Sequence, residues 1–192
     1  MPRTPEQFQE IRSDRKKAIL DAALHVFSEQ GYHNASISQI SKEARVSKGL
    51  MYNYFENKEE LLKILISSLL DKEVESMNRL LKNKITEETM IEFMSLTTNV
   101  LKSKPKKWKL YFKMSSQPEV LKIVEDKFAE SGALFSKKIM EFFQNKGCSD
   151  PVMTFTYFTT AITGLKISYI MQPETYPIDK MEELIIKQFI TS

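Results

Sequence analysis

Between Ser36 and Leu61 the chain reads SISQISKEARVSKGLMYNYFENKEEL, and this stretch gathers the side chains best suited to hold another molecule. Lys48 and Lys58 are cations, Ser36, Ser47, Tyr52 and Tyr54 offer hydroxyls, and Asn53 has an amide that donates and accepts side by side. Cations and hydroxyls suit phosphate oxygens, and a planar amide suits the edge of adenine. Other chemistries find little support. The only histidines are His25 and His33 and the only cysteine is Cys148, so neither a metal-ligand spacing nor a nucleophile with its base stands out. Glycine-rich phosphate loops are absent. The expectation is a binding protein rather than an enzyme, with no metal and no cofactor; a catalyst built from scattered carboxylates is the one enzymatic arrangement left open.

The elements that must position these residues can be read from periodicity and caps. A first helix over about 13–28 follows a flexible arm over 1–12; Ile19, Leu20, Ala23, Leu24 and Phe27 have helical spacing and Gly31 lies just past its end. Ser36 and Gln39 form a capping-box pattern opening a second helix over about 37–44. Ser47 opens a third over about 48–55, and Asn57 with Glu60 a long fourth over about 58–82. Two short helices joined at Arg45-Val46, with Ile37, Ile40, Ala44, Val46, Met51 and Phe55 turned inward, make a helix-turn-helix whose second helix is free to enter a major groove. Met51 and Phe55 then share the inner face and Lys48, Gly49, Tyr52 and Asn53 the outer one. Gly49 costs the helix roughly 1 kcal/mol against Ala, which close approach to a phosphate backbone would explain. Lys58 opposes the dipole of its own helix start, which makes sense if both face a phosphate.

These residues resemble the signature of the TetR family. Ser36, Ile37, Ile40, Ala44, Val46, Ser47, Gly49, Met51, Tyr52, Tyr54, Phe55, Lys58 and Leu61 stand where that signature has its serine, apolar, glycine, aromatic and lysine positions. Arg45 occupies the place usually held by a turn glycine, which calls for a positive φ or a slightly different turn. The resemblance covers about residues 12–62. It implies an all-α regulator with Ser36, Lys48, Tyr54 and Lys58 on phosphates, and with Ser47, Gly49, Leu50, Tyr52 and Asn53 in or at the groove. On the residues alone, Tyr52 and Tyr54 can also be read as half-buried core tyrosines and Lys58 as a plain solvated lysine.

Charge alone does not decide the partner. The 192 residues carry a formal net charge of only +3, and over residues 1–60 basic and acidic residues number nine each, so placement must carry the case for DNA. The cluster Arg12, Arg15, Lys16 and Lys17 reads either as a solvated helix end or as a flank for the DNA backbone, with Arg3 reaching a minor groove. A hydrophobic share of 42% with 28% charged residues is globular, and helix formers dominate. A polar N-terminus, the lone cysteine and the lack of a long apolar run point to a cytoplasmic protein without a membrane partner.

The remainder reads as five further helices. Thr86, Pro105, Pro118, Asp150-Pro151 and the pair Asp179/Glu182 mark their starts. The expected architecture is an N-terminal arm and helix-turn-helix domain over 1–57, followed by a helical effector-binding and dimerisation domain over 58–192. Phe93, Met94, Thr97, Leu101, Trp108, Tyr111, Phe112, Phe128, Phe135, Phe155 and Phe158 are candidates to line a pocket for a small apolar or aromatic effector, and equally an ordinary core. Between Val152 and Gln172 the sole charge is Lys166, so this helix needs cover nearly all round. Phe155, Phe158, Ile162, Leu165 and Tyr169, with Met181, Leu184, Ile185 and Phe189 from the last helix, are the expected homodimer interface. The function expected is a ligand-responsive repressor binding a near-palindromic operator as a dimer. A helical interaction or scaffold protein, and an effector-free architectural DNA binder, are the alternatives.

Overall fold

The structure, a computed structural model, describes residues 4–82 and 84–191; Arg3 lies outside them. The described residues form nine α-helices: α1 (Pro5–Gln30), α2 (Ile37–Glu43), α3 (Lys48–Tyr52), α4 (Lys58–Lys82), α5 (Glu87–Ser103), α6 (Pro105–Met114), α7 (Pro118–Asn145), α8 (Pro151–Met171) and α9 (Ile178–Phe189). None of them is long and apolar enough to cross a membrane. Two compact units result. The first is Met1–Leu69 with Lys113–Val124, and the second is Leu70–Phe112 with Glu125–Ser192.

In the first unit α1 begins eight residues earlier than its apolar periodicity suggests, so the arm expected over 1–12 is helix from Pro5 on. The reason is local. Thr4 and Gln7 form a complete capping box and Pro5, whose missing N–H is harmless there, occupies the first turn. From Ile19 onward α1 buries Ala22, Ala23, Leu24, Val26 and Phe27 and packs on α2, where Ile40 is fully buried. The Ser36–Gln39 box opens α2 as its spacing predicts. Its end is a Schellman turn: the Arg45 N–H donates to the Lys42 carbonyl at 3.1 Å and the Val46 N–H to the Ser41 carbonyl at 2.9 Å. Arg45 sits at the left-handed position with φ 56°, the strained alternative that a non-glycine residue there called for.

The second unit packs α5, α8 and α9 on one another. Its core is aromatic: Phe143 meets Phe158 at 5.7 Å between centroids and Phe158 meets Phe189 at 5.5 Å, both edge to face. Lys166, the lone charge of α8, reaches Glu73 on α4 at 2.9 Å. The start of α9 departs from the expected Asp179/Glu182 box. The cap position is Pro177, with no side-chain hydrogen bond, and Glu182 is buried. Its carboxylate accepts from the Ser95 hydroxyl at 2.8 Å and the Thr98 hydroxyl at 2.5 Å, both on α5. Asp179 instead pairs with Lys102 at 2.6 Å. A buried carboxylate needs donors, and α5 offers two hydroxyls where the local box would have supplied a backbone N–H.

Candidate nucleic-acid interface

Helix α3 is short, running only to Tyr52, and its sidedness is sharp. Met51 and Phe55 are buried at 1% and 2% exposure, while Ser47, Lys48, Gly49, Tyr52 and Asn53 are exposed and Leu50 is half-buried. The Ser47 hydroxyl caps the helix by accepting from the Leu50 N–H at 3.1 Å. A methyl group added at Gly49 would meet nothing within 4 Å, so nothing in this chain's own packing requires a glycine there. The face bearing Lys48, Gly49, Tyr52 and Asn53 is therefore a polar, backbone-exposing surface held rigidly by Met51 from behind.

The outer members of the expected set are placed differently. The Ser36 hydroxyl is engaged in its capping box, accepting from the Gln39 N–H at 3.2 Å and donating to the Gln39 side-chain oxygen at 2.7 Å. Tyr54 is half-buried, with the Arg12 guanidinium 5.4 Å from its ring centre. Lys58 turns inward: its ammonium donates to the carbonyls of Tyr32 at 2.8 Å, His33 at 3.2 Å and Ala35 at 2.9 Å, and lies 4.5 Å from the Tyr32 ring centre. An ammonium has three protons, so Lys58 fastens the turn between α1 and α2 and has none left for a phosphate. A lysine three residues after the aromatic pair carries no sign of this in the sequence, because the three acceptors are backbone carbonyls 23 to 26 residues away.

The same turn is held from the other side by residues that sequence reasoning passed over. Within the first unit, Lys113 pairs with Glu29 at 2.5 Å, the Gln117 side chain accepts from the Tyr32 N–H at 2.8 Å, and Glu119 meets His33 at 2.7 Å. Burial, then the charges of Glu59 and Glu119, push the Tyr32 phenol above its ordinary range, so that it stays neutral.

The expected pocket residues all fall in the second unit. Phe93, Met94, Thr97, Leu101, Trp108, Phe135 and Phe158 are buried, and Tyr111, Phe112, Phe128 and Phe155 are half-buried. They pack on one another: Phe93 against Phe135 at 5.5 Å, Phe135 against Phe155 at 6.2 Å, and Trp108 against Tyr111 at 5.7 Å. Burial, then Glu73, raises the Tyr111 phenol to about 12. Phe93 borders a cavity of about 60 Å³, far below the size of an effector site. Larger hollows of about 530 and 630 Å³ lie along α5 and α9 and along α4 and α7, and neither is lined by the expected residues.

The expected dimer stripe lies mostly inside the chain. Phe158, Ile162, Leu165, Tyr169, Ile185 and Phe189 are buried in this chain's own core and Phe155 and Met181 are half-buried, leaving Leu184 exposed. The uncovered side of α8 is the opposite one: Met153, Tyr157, Thr160, Gly164, Ile167 and Met171, spaced by alternating four and three residues, are all exposed. Both stripes are apolar at helical spacing, so periodicity cannot rank them. The aromatic one buries more area per residue and goes inside.

The fold and the exposed face of α3 define a helix-turn-helix segment followed by further helices. Residues 19–65 match the model of the family of bacterial regulatory proteins, tetR family, about a quarter of the chain. The HTH-type transcriptional regulator HbdR of Aromatoleum sp. (strain CIB) is 45% identical over 58 residues, 30% of this chain and 25% of that protein. The fatty acid metabolism regulator protein of Bacillus subtilis (strain 168) is 41% identical over 68 residues, 35% of each. These alignments thus span about a third or less of the relatives' own lengths. The fold match runs further: the crystal structure of the transcriptional regulator FadR from Bacillus subtilis in complex with stearoyl-CoA covers 91% of this chain and 97% of its own, with TM-score 0.68 at 21% identity. The fatty acid degradation regulator FadR from Bacillus halodurans gives the same coverage and score at 20% identity.

Proposed function

We propose that the chain is a DNA-binding transcriptional regulator, a repressor that binds a near-palindromic operator as a homodimer and releases it on binding an apolar effector. The observation that carries the reading is the exposed face of α3, where Lys48, Gly49, Tyr52 and Asn53 stand outward from a helix fixed by buried Met51. In a major groove Lys48 holds a phosphate, Gly49 lets the helix backbone come close, and Asn53 reads a base. The dimer is supported by the uncharged outer stripe of α8, with Gly164 at its middle and open space around it. Left in water, Met153, Tyr157, Ile167 and Met171 would form an apolar patch that a two-fold partner covers.

Effector response is supported by the α6–α7 corner. Lys113, Gln117 and Glu119 grip the turn that carries the reading head, and α6 and α7 continue from that corner into the second unit. A ligand of the second unit that favours one state of this corner would shift the population competent to bind DNA. An acyl chain is the effector class favoured here, since the Bacillus subtilis neighbour was crystallised with stearoyl-CoA and the second unit is rich in buried rings. Such a ligand must part the Phe93–Phe135–Phe155 rings to enter. The test is a mobility shift on the DNA upstream of the chain's own gene. Retardation that long-chain acyl-CoA relieves is expected; absence of retardation at any salt concentration contradicts the proposal.

A further inference from the structure

The N-terminal half of α1 projects beyond the core, with residues 5–18 exposed apart from half-buried Ile11. Most helical stability comes from a packed face, so a capped but uncovered helix of this length needs a reason. Its charges are sorted by side. Stepping by four and three residues, Phe8, Arg12 and Arg15 run into Ile19, and Lys16 runs into Ile19 and Ala23; this is the face that buries itself against α2 further along. It bears no acid. On the other side Glu6, Glu10, Asp14 and Asp21 follow one another with Lys17 among them. The even balance of charge over residues 1–60 thus conceals a basic side and an acidic side. Arg12 marks where the basic side lies, because its guanidinium sits over the ring of Tyr54, two residues beyond the end of α3.

We propose that this basic side of α1, through Arg15 and Lys16, is a second DNA-contacting surface that holds backbone phosphates beside the half-site read by α3. The inference rests on the proposed DNA reading and adds a contact region outside the helix-turn-helix. Three features of the face support duplex DNA as the occupant: it is continuous with the reading head, it carries cations without acids, and its guanidinium and ammonium groups match phosphate. Arg12 serves as a positioning residue that keeps Tyr54 in place beneath it.

The experiment uses the full chain and an operator selected from a random duplex library. Binding is measured over a range of salt for the parent, for Arg15→Gln/Lys16→Gln, for Lys17→Gln on the opposite side, and for Asn53→Ala. Glutamine keeps helix propensity, and circular dichroism checks folding. The double variant is expected to lose about two units of the salt slope per protomer, about four for the dimer on its operator, and to protect a shorter stretch of backbone in hydroxyl-radical footprints, with its preferred sequence unchanged. Lys17→Gln should match the parent, and Asn53→Ala should change the preferred sequence while keeping the slope. A double variant with the parent's slope and footprint overturns the second surface and leaves the α3 reading standing. Equal loss per charge from Lys17→Gln also overturns it, since the effect is then general attraction rather than a face. A parent that selects no duplex overturns the DNA reading and this surface together.

Discussion

Lys48 and Lys58 lie ten residues apart in one motif and have opposite surroundings. Lys48 is exposed on α3, while Lys58 is bound by three carbonyls of the α1–α2 turn. Removing Lys58 leaves those carbonyls without their charged donor, so Lys58→Ala should destabilise the fold by about 1–3 kcal/mol in urea unfolding. It should leave the salt slope of DNA binding unchanged at temperatures where the variant is folded. Lys48→Ala should do the reverse, with stability within about 0.5 kcal/mol of the parent and a slope shallower by about one unit per protomer, about two for the dimer. A Lys58 variant that is fully stable but has lost a unit of slope would return this residue to the phosphate set.

At the scale of elements, Glu182 ties α9 to α5. Its carboxylate is buried and accepts from Ser95 and Thr98. Glu182→Ala leaves the Ser95 hydroxyl without its acceptor and Thr98 with only the Ser95 and Met94 carbonyls of its own helix, and should cost about 1–3 kcal/mol, which for a chain of this length lowers the unfolding midpoint by several degrees. Glu182→Gln keeps an acceptor and should recover most of the loss in the same melt. Helix starts marked by Ser36, Ser47, Thr86, Pro105, Pro118 and Pro151 were legible because a cap acts on its own next turn. The start of α9 was not, because Glu182 answers to α5, 84 residues away in sequence. The early start of α1 was hidden for another reason. Residues 5–18 bury almost nothing, so no apolar period marks them, and the local signs are the Thr4–Gln7 box and Pro5 beside it. In the reading face, inward Met51 and Phe55 followed from spacing alone, whereas the capture of Lys58 depended on where the α1–α2 turn places its carbonyls.

For the whole molecule, α8 has one charge in twenty-one residues, and the chain's own core covers one side of it only. Tyr157→Glu on the outer stripe puts a charge where a partner helix would lie and should give monomers at low micromolar concentration in sedimentation. Phe158→Ala, a core change, should instead lower stability by about 3–5 kcal/mol. A two-fold dimer carries two copies of α3, so its operator must repeat with inverted symmetry at a spacing of about one helical turn or more. The most direct measurement is therefore selection of bound duplexes from a random library by the purified chain, with a Lys48→Ala/Asn53→Ala variant in parallel. The account predicts enrichment of an inverted repeat by the parent and loss of that enrichment by the variant. Absence of enrichment by the folded parent, or the same repeat enriched equally by both proteins, would contradict it.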